Sequence, residues 1–186
     1  MSEEEVFYQP VPSAFGSLAI VWRGAAAGPR VIYIFLPRAD ASPEETVRGA
    51  FPHAVSGVCE PIADLGRRLQ RFLEGEDVVL ALDLLALDRC SPFQQRVLRA
   101  EYGIPRGRVS TYGRVARRIG VPKAARAVGN ALAQNPFPLV IPCHRAVRSD
   151  GQLGGFRGGL QMKAALLRLE GVEILSGKVI TDRFYY

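Results

Sequence analysis

Residues that build metal centres and disulfide scaffolds are scarce in this chain. Among 186 residues there are three cysteines, Cys59, Cys90 and Cys143, and two histidines, His53 and His144. An odd, widely spaced set of cysteines argues against a disulfide framework. No His/Cys spacing fits a metal ligand set, so no metal is expected. No apolar run reaches the roughly 20 residues that cross a bilayer, so no membrane partner is expected. The start, MSEEEVFYQP, is acidic and lacks the layout of a secretory signal. Together these absences point to a reducing intracellular compartment, cytoplasmic in a prokaryote or nuclear in a eukaryote, where a reactive thiol stays usable.

Acidic side chains are also scarce, but only in one stretch. Residues 1–88 carry 7 basic and 13 acidic side chains, residues 89–172 carry 15 and 3, and residues 173–186 carry 2 of each. The formal net charge of +6 therefore hides a middle segment at +12. A small domain with that charge repels itself unless a polyanion is near, and nucleic acid is the natural partner.

The first part is expected to be a small α+β domain. Residues 6–37 suggest strands in a hairpin or meander, broken by the Gly-rich AAAGP. Ser42-Pro43-Glu44-Glu45 has the form of a capped helix start, and that helix should end near Phe51-Pro52. Ile62, Leu65, Leu69 and Leu73 recur at helical spacing, predicting a helix over 61–74 that Gly75 ends. Residues 77–86 suit a strand or an extended crossing segment.

From residue 89 the pattern turns helical. Ser91-Pro92 opens one helix, Gly103–Gly107 makes a turn, and Ser110 or Thr111 caps a helix running to Ile119. Gly120-Val121-Pro122 breaks the chain, and Pro122 is expected to start a helix over 122–133. Helix, glycine turn, helix is the helix-turn-helix pattern. The second of these helices is rich in alanine and carries Gly129, which costs on the order of 1 kcal/mol relative to alanine. Either tight internal packing or close approach to DNA would account for it. Lys123 and Arg126 are placed to touch phosphates, and Arg126 to enter the base stack. A last helix begins near Leu160, with Glu170 in its final turn, where a carboxylate opposes the helix dipole unless a partner holds it.

Cys143 lies between an apolar approach and a basic exit. A thiol needs a base or a positive field to become a nucleophile. His144 is adjacent, and Glu170 is a candidate to orient its ring.

Tyr112, Arg126, Asn135-Pro136, Ile141-Pro142-Cys143-His144-Arg145 and Gly154–Leu160 together resemble the O6-alkylguanine-DNA alkyltransferase family, over roughly residues 91–171. The resemblance implies a ribonuclease-H-like domain over 1–88, a DNA-binding alkyltransferase domain over 89–171 with a winged-helix-like helix-turn-helix, and a C-terminal extension over 172–186. It implies a single-turnover reaction in which a flipped O6-alkylguanine gives its alkyl group to Cys143, with no cofactor. O4-alkylthymine stays open as a second substrate. The implied partner is double-stranded DNA, entered through the minor groove by a monomer. Arg126 would fill the gap left by the flipped base, with Lys123, Thr111, Ala125 and Gly129 at the DNA. Tyr112 would protonate the leaving base, Asn135 would brace the cysteine turn, and His144 with Glu170 would supply the base and its orienter. Pro136, Pro142, Phe156 and Arg157 would wall the pocket, and the Cys143 and Ala146 carbonyls would accept from the guanine amino group. Ala146 departs from the valine usual there.

Three rival readings remain in view. A non-enzymatic recognition protein for alkylated DNA would characteristically lack the cysteine. A transcriptional module would not need the set Asn135, Cys143, His144 and Glu170. A cysteine hydrolase would not need so basic a domain.

Overall fold

The computed structural model describes residues 5–181 and 184–186. The acidic start up to Glu4, and Asp182 with Arg183, lie outside the described residues. Among the described residues the architecture is mixed α and β, with six α-helices, one small four-stranded sheet and two two-stranded ones. No helix among the described residues is long and apolar enough to cross a membrane. The chain divides into two compact units. One holds the residues up to Arg89 together with 136–140, the other 90–135 and 141–186.

In the first unit, β1 (Val6–Val11), β2 (Leu18–Arg23) and β3 (Arg30–Phe35) form the expected antiparallel meander. A short β4 (Val55–Ser56) returns parallel to β1, giving the order β3-β2-β1-β4. Leu18, Ala19, Ile20, Val21 and Trp22 of β2 are all buried, as a strand covered on both faces requires. Helix α1 (Pro43–Ala50) drops Val47 onto Tyr8, Ala19, Val21 and Ile32. Its capping box is complete: Ser42 Oγ accepts from the Glu45 amide at 3.2 Å, and Glu45 Oε2 accepts from the Ser42 amide at 2.7 Å. Such a cap is worth about 1 kcal/mol. Helix α2 (Glu60–Leu73) buries Ile62, Leu65, Leu69 and Leu73, the residues whose spacing predicted it, and brings Gly66 against Val11. Residues 77–86 take the crossing form. The Val31 amide donates to Leu84 O and the Ala86 amide to Val31 O, so contact with β3 is a single bridge. Pro136 O accepts from the Ile34 amide at 2.8 Å, which ties 136–140 to this unit.

The second unit opens with α3 (Pro92–Tyr102), capped by Ser91, whose side chain accepts from the Gln94 amide. After the 103–107 turn come β5 (Ser110–Thr111) and α4 (Tyr112–Arg118). Of the two candidate caps it is Thr111 that accepts from the Arg114 amide, while Ser110 Oγ donates to Tyr185 O at 2.6 Å. Helix α5 spans Ala125–Ala133, starting three residues later than expected from Pro122. The Ala124 amide donates to Val121 O, so Pro122 and Lys123 are the central residues of a tight turn. The fixed φ of proline suits the first of those two positions as well as it suits a helix start. Gly120 enters the turn at φ +76, a backbone that a β-carbon disfavours. A 3-10 turn over Cys143–Arg145 leads into β6 (Ala146–Val147), and α6 (Gly159–Leu169) follows.

The segment after 172 stays with this unit. It forms the hairpin β7 (Ile174–Leu175) and β8 (Lys178–Val179), with Val179 packed among Val109, Val147, Leu153 and Leu167. The Tyr185 amide donates to Val109 O, Tyr186 Oη donates to Ala100 O, and Arg114 binds the Tyr186 carbonyl.

Candidate active site

Pro142 shapes the approach to the cysteine. Its φ of −79° and ψ of 60°, with the Cys143 amide donating to Ile141 O at 2.8 Å, make an inverse γ-turn. The 3-10 turn follows directly: the Arg145 amide donates to Pro142 O and the Ala146 amide to Cys143 O. β6 then pairs in parallel with β5, Ser110 beside Ala146 and Thr111 beside Val147. That register delivers Tyr112, the first residue of α4, to the neighbourhood of the cysteine turn.

Asn135 is buried, and its Nδ2 donates to Ile141 O at 3.1 Å, so one carbonyl serves both the γ-turn and the brace. Burial pushes the Cys143 thiol up to about 11; a hydrogen bond with Asn135 opposes this and the Glu101 carboxyl adds to it. The resting thiol is therefore protonated at neutral pH.

His144 Nε2 lies 2.8 Å from Glu170 Oε1, with both side chains at 0 % exposure. Burial holds the imidazole below its usual range, outweighing the Glu170 carboxylate that favours the cation. The ring is neutral. Because an ionised carboxylate only accepts, Nε2 carries the proton and Nδ1 is the basic nitrogen. Arg145 grips the same carboxylate from Nε and Nη2 at 2.9 and 2.8 Å, and donates from Nη1 to Ile104 O at 2.6 Å. Burial would raise Glu170, but hydrogen bonds from His144 and Arg145 hold it down at about 2. The carboxylate that opposes the α6 dipole is thus held by partners from the cysteine turn.

Tyr112 is half-buried. Burial, with Glu101 and Cys143 nearby, raises its phenol, which keeps its proton. A β-carbon at Gly154, where φ is +68, would lie 2.6 Å from the Tyr112 hydroxyl, so only glycine allows that approach. At Gly129 an added β-carbon would meet the Tyr112 ring at 3.9 Å, an ordinary contact. Internal packing does not demand glycine there.

The remaining expected residues are spread more widely. Pro142 and Ala146 are buried at the turn, and Ala146 O already accepts from Lys163 Nζ at 2.6 Å, leaving one lone pair. Phe156 presents its ring edge-on to His144, with centroids 6.3 Å apart. Arg157 is exposed and donates to Ala133 O at 2.9 Å. Pro136 belongs to the first unit, where its carbonyl accepts from the Ile34 amide. Lys123 and Arg126 are exposed, and Ala125 and Gly129 are half-buried. Thr111 is buried, with its hydroxyl oxygen committed to the α4 cap. It lines a groove of about 520 Å³ with Arg114, Arg117, Ala125, Arg148 and Phe184. A larger pocket, about 770 Å³, is bounded by Tyr112, Gly154, Phe156, Leu160 and the β7–β8 turn at Ser176 and Lys178. No cluster of three His, Cys, Asp or Glu side chains that could hold a metal exists among the described residues.

Sequence reasoning missed three groups here. Arg145 was read as part of a motif, not as the clamp on Glu170. Lys163 is buried at 0 % exposure, and so is Glu101. Both had a signal: Lys163 follows Met162 on the side of α6 that carries Leu166 and Leu167, and Glu101 continues the Val97, Leu98 stripe of α3.

Residues 92–172 match the family described as 6-O-methylguanine DNA methyltransferase, DNA binding domain. A methylated-DNA–protein-cysteine methyltransferase of Methanothermobacter thermautotrophicus is 46% identical over 106 residues, 57% of this chain and 59% of that protein. The protein of the same name in Mycobacterium bovis is 34% identical over 167 residues, 89% of this chain and 92% of the relative. The crystal structure of Mycobacterium tuberculosis OGT in complex with DNA superposes with a TM-score of 0.71 at 32% identity, covering 88% of this chain and 92% of the other. With relatedness running through nearly the whole of both chains, this chain belongs to the methylated-DNA–protein-cysteine methyltransferase family.

Proposed function

We propose that the protein repairs DNA by moving a methyl or other small alkyl group irreversibly from O6-alkylguanine to Cys143. The carrying observation is the constellation around that thiol: Asn135 bracing its turn, and a neutral His144 whose proton position is set by Glu170. The name borne by relatives spanning most of the chain supports the same reading.

In this reading the Cys143 proton passes to His144 Nδ1, directly or through water. The sulfur attacks the alkyl carbon in line, an S–C bond forms, and the C–O6 bond breaks with its electron pair going to the base. Tyr112 donates a proton to the departing guanine, and Glu170 stabilises the imidazolium left on His144. The thioether is permanent, so each molecule acts once. A thiol held near 11 at rest and a base oriented in advance fit a nucleophile that ionises only when substrate is in place.

The finer architecture belongs to the same proposal. The first unit is taken as the ribonuclease-H-like domain; the sheet order β3-β2-β1-β4, with β1 and β4 parallel, is in keeping with it. The α4–turn–α5 pair is taken as a winged-helix-like helix-turn-helix that meets duplex DNA from the minor groove, the protein acting as a monomer. The exposed Lys123 and Arg126 and the arginine-lined groove support it.

The test is incubation with duplex DNA bearing one O6-methylguanine, followed by intact mass and peptide mapping. A gain of about 14 Da, one methylene, on the peptide holding Cys143 and no second turnover is expected. Lesion-selective binding without mass gain would move the protein to the recognition class. Arg126→Ala should slow repair of duplex DNA roughly 10- to 100-fold, since flipping costs a few kcal/mol, while sparing reaction with the free O6-methylguanine base. Equal losses on both substrates would count against the gap-filling role.

A further inference from the structure

Glu101 is a buried acid that the reaction above does not use. It sits in the last turn of α3 at 0 % exposure, and neither carboxyl oxygen has a hydrogen-bond partner among the described residues. An ionised carboxylate in such a place is strongly disfavoured unless a charge compensates it. Several titratable groups face it. Lys163 of α6 and Arg145 of the cysteine turn favour its anion. Cys143, Tyr112 of α4 and Tyr186 of the C-terminal segment each feel its charge in return. Burial wins over both cations and lifts the carboxyl to about 8.

Lys163 connects this acid to the site. Its ammonium is held by Ala146 O at 2.6 Å and Gly155 O at 3.3 Å, on the strand that leaves the cysteine turn and in the loop that carries Phe156. Burial lowers Lys163 to about 8, while Cys143 and Glu101 act to keep it charged. The same ammonium favours the Cys143 thiolate, and an ionised Glu101 opposes it.

We propose that Glu101 is a positioning residue for the Cys143 thiol: it holds a proton inside the second unit, so that the charge of Lys163 reaches the cysteine turn uncancelled. When Glu101 gives that proton to solvent, its negative charge offsets Lys163 and the thiol ionises less readily. This rests on reading Cys143 as the nucleophile.

The full-length protein and its Glu101→Gln variant are treated with iodoacetamide from pH 6.5 to 9.5, and carbamidomethylation of Cys143 is followed by peptide mapping. In that probe the thiolate sulfur displaces iodide and the thiol proton goes to buffer. The variant-to-parent rate ratio at Cys143 is expected to climb severalfold from pH 6.5 to about 8, as Glu101 ionises in the parent alone, and to level off above that as Lys163 loses its charge. Parallel pH profiles would overturn the proposal. A measurement on the parent protein alone guards against a variant that fails to fold: with 13C-labelled glutamate, one side-chain carboxyl should titrate near pH 8. If every glutamate carboxyl titrates in the ordinary range, the proposal falls. Methyl transfer from O6-methylguanine DNA is scored on untreated aliquots of the same two proteins. The expected iodoacetamide profile without methyl transfer would sink only the alkyltransferase reading; methyl transfer with parallel profiles would sink only the role of Glu101.

Discussion

Cys143→Ala removes alkyl transfer altogether and leaves DNA affinity nearly intact. The thiol is the strongest nucleophile at the turn: its neighbours are a neutral imidazole whose basic nitrogen serves to take the thiol proton, an amide that braces the turn and a carboxylate held by His144 and Arg145. The fold tolerates the change because the turn is held by backbone and by Asn135, not by sulfur. The bonds from Cys143 N to Ile141 O, Arg145 N to Pro142 O and Asn135 Nδ2 to Ile141 O all survive. Loss of one buried sulfur should cost on the order of 1 kcal/mol. The check pairs a transfer assay on O6-methylguanine duplex with a binding isotherm on the same DNA. Residual stoichiometric transfer would move the nucleophile elsewhere, with Cys59 and Cys90 the remaining thiols.

Glu170→Gln should both stop transfer and destabilise the protein. The carboxylate is the joint acceptor for His144 and Arg145, and its side chain is fully buried. Neutralising it leaves the Arg145 guanidinium, only 11% exposed, without its counter-charge. Breaking a buried pair from one side costs roughly 3–5 kcal/mol. The glutamine amide also no longer fixes which imidazole nitrogen carries the proton, so the base is lost with the charge. Acid should erase the stability difference. The folded carboxyl sits at about 2, below its usual 4.5. A depressed acid stabilises fully above its unfolded value, and the contribution disappears as pH falls from about 4.5 towards 2; the size is on the order of 3 kcal/mol. Urea denaturation of parent and variant at pH 7, 4 and 2.5 checks this. A gap that stays constant across that range would show that the loss is one of packing and not of charge.

Features written into short stretches of chain were legible early. Ser42-Pro43-Glu44-Glu45 predicted its capping box and Ile62–Leu73 its buried stripe, because caps and helical periodicity depend on residues three or four apart. Pro122 misled by three residues, since proline serves the first position of a turn as readily as that of a helix. Cys143 and His144 announced themselves by adjacency and Glu170 by its awkward place at a helix end, while the resemblance supplied Asn135 and Tyr112 as companions.

The charge division, the main helices and strands, and the thiol to suspect can all be read along the chain. The ionisation states need the folded molecule, because they depend on groups distant along the chain. Glu170 reaches His144 across 26 residues and Arg145 across 25. A carboxylate at a helix end is a liability until that clamp is seen. Lys163 and Glu101 lie on the apolar stripes of their helices, but only the fold shows that burial brings both to about 8. Burial and three-dimensional neighbours together set a pKa, and local spacing hints at the first but does not encode the second.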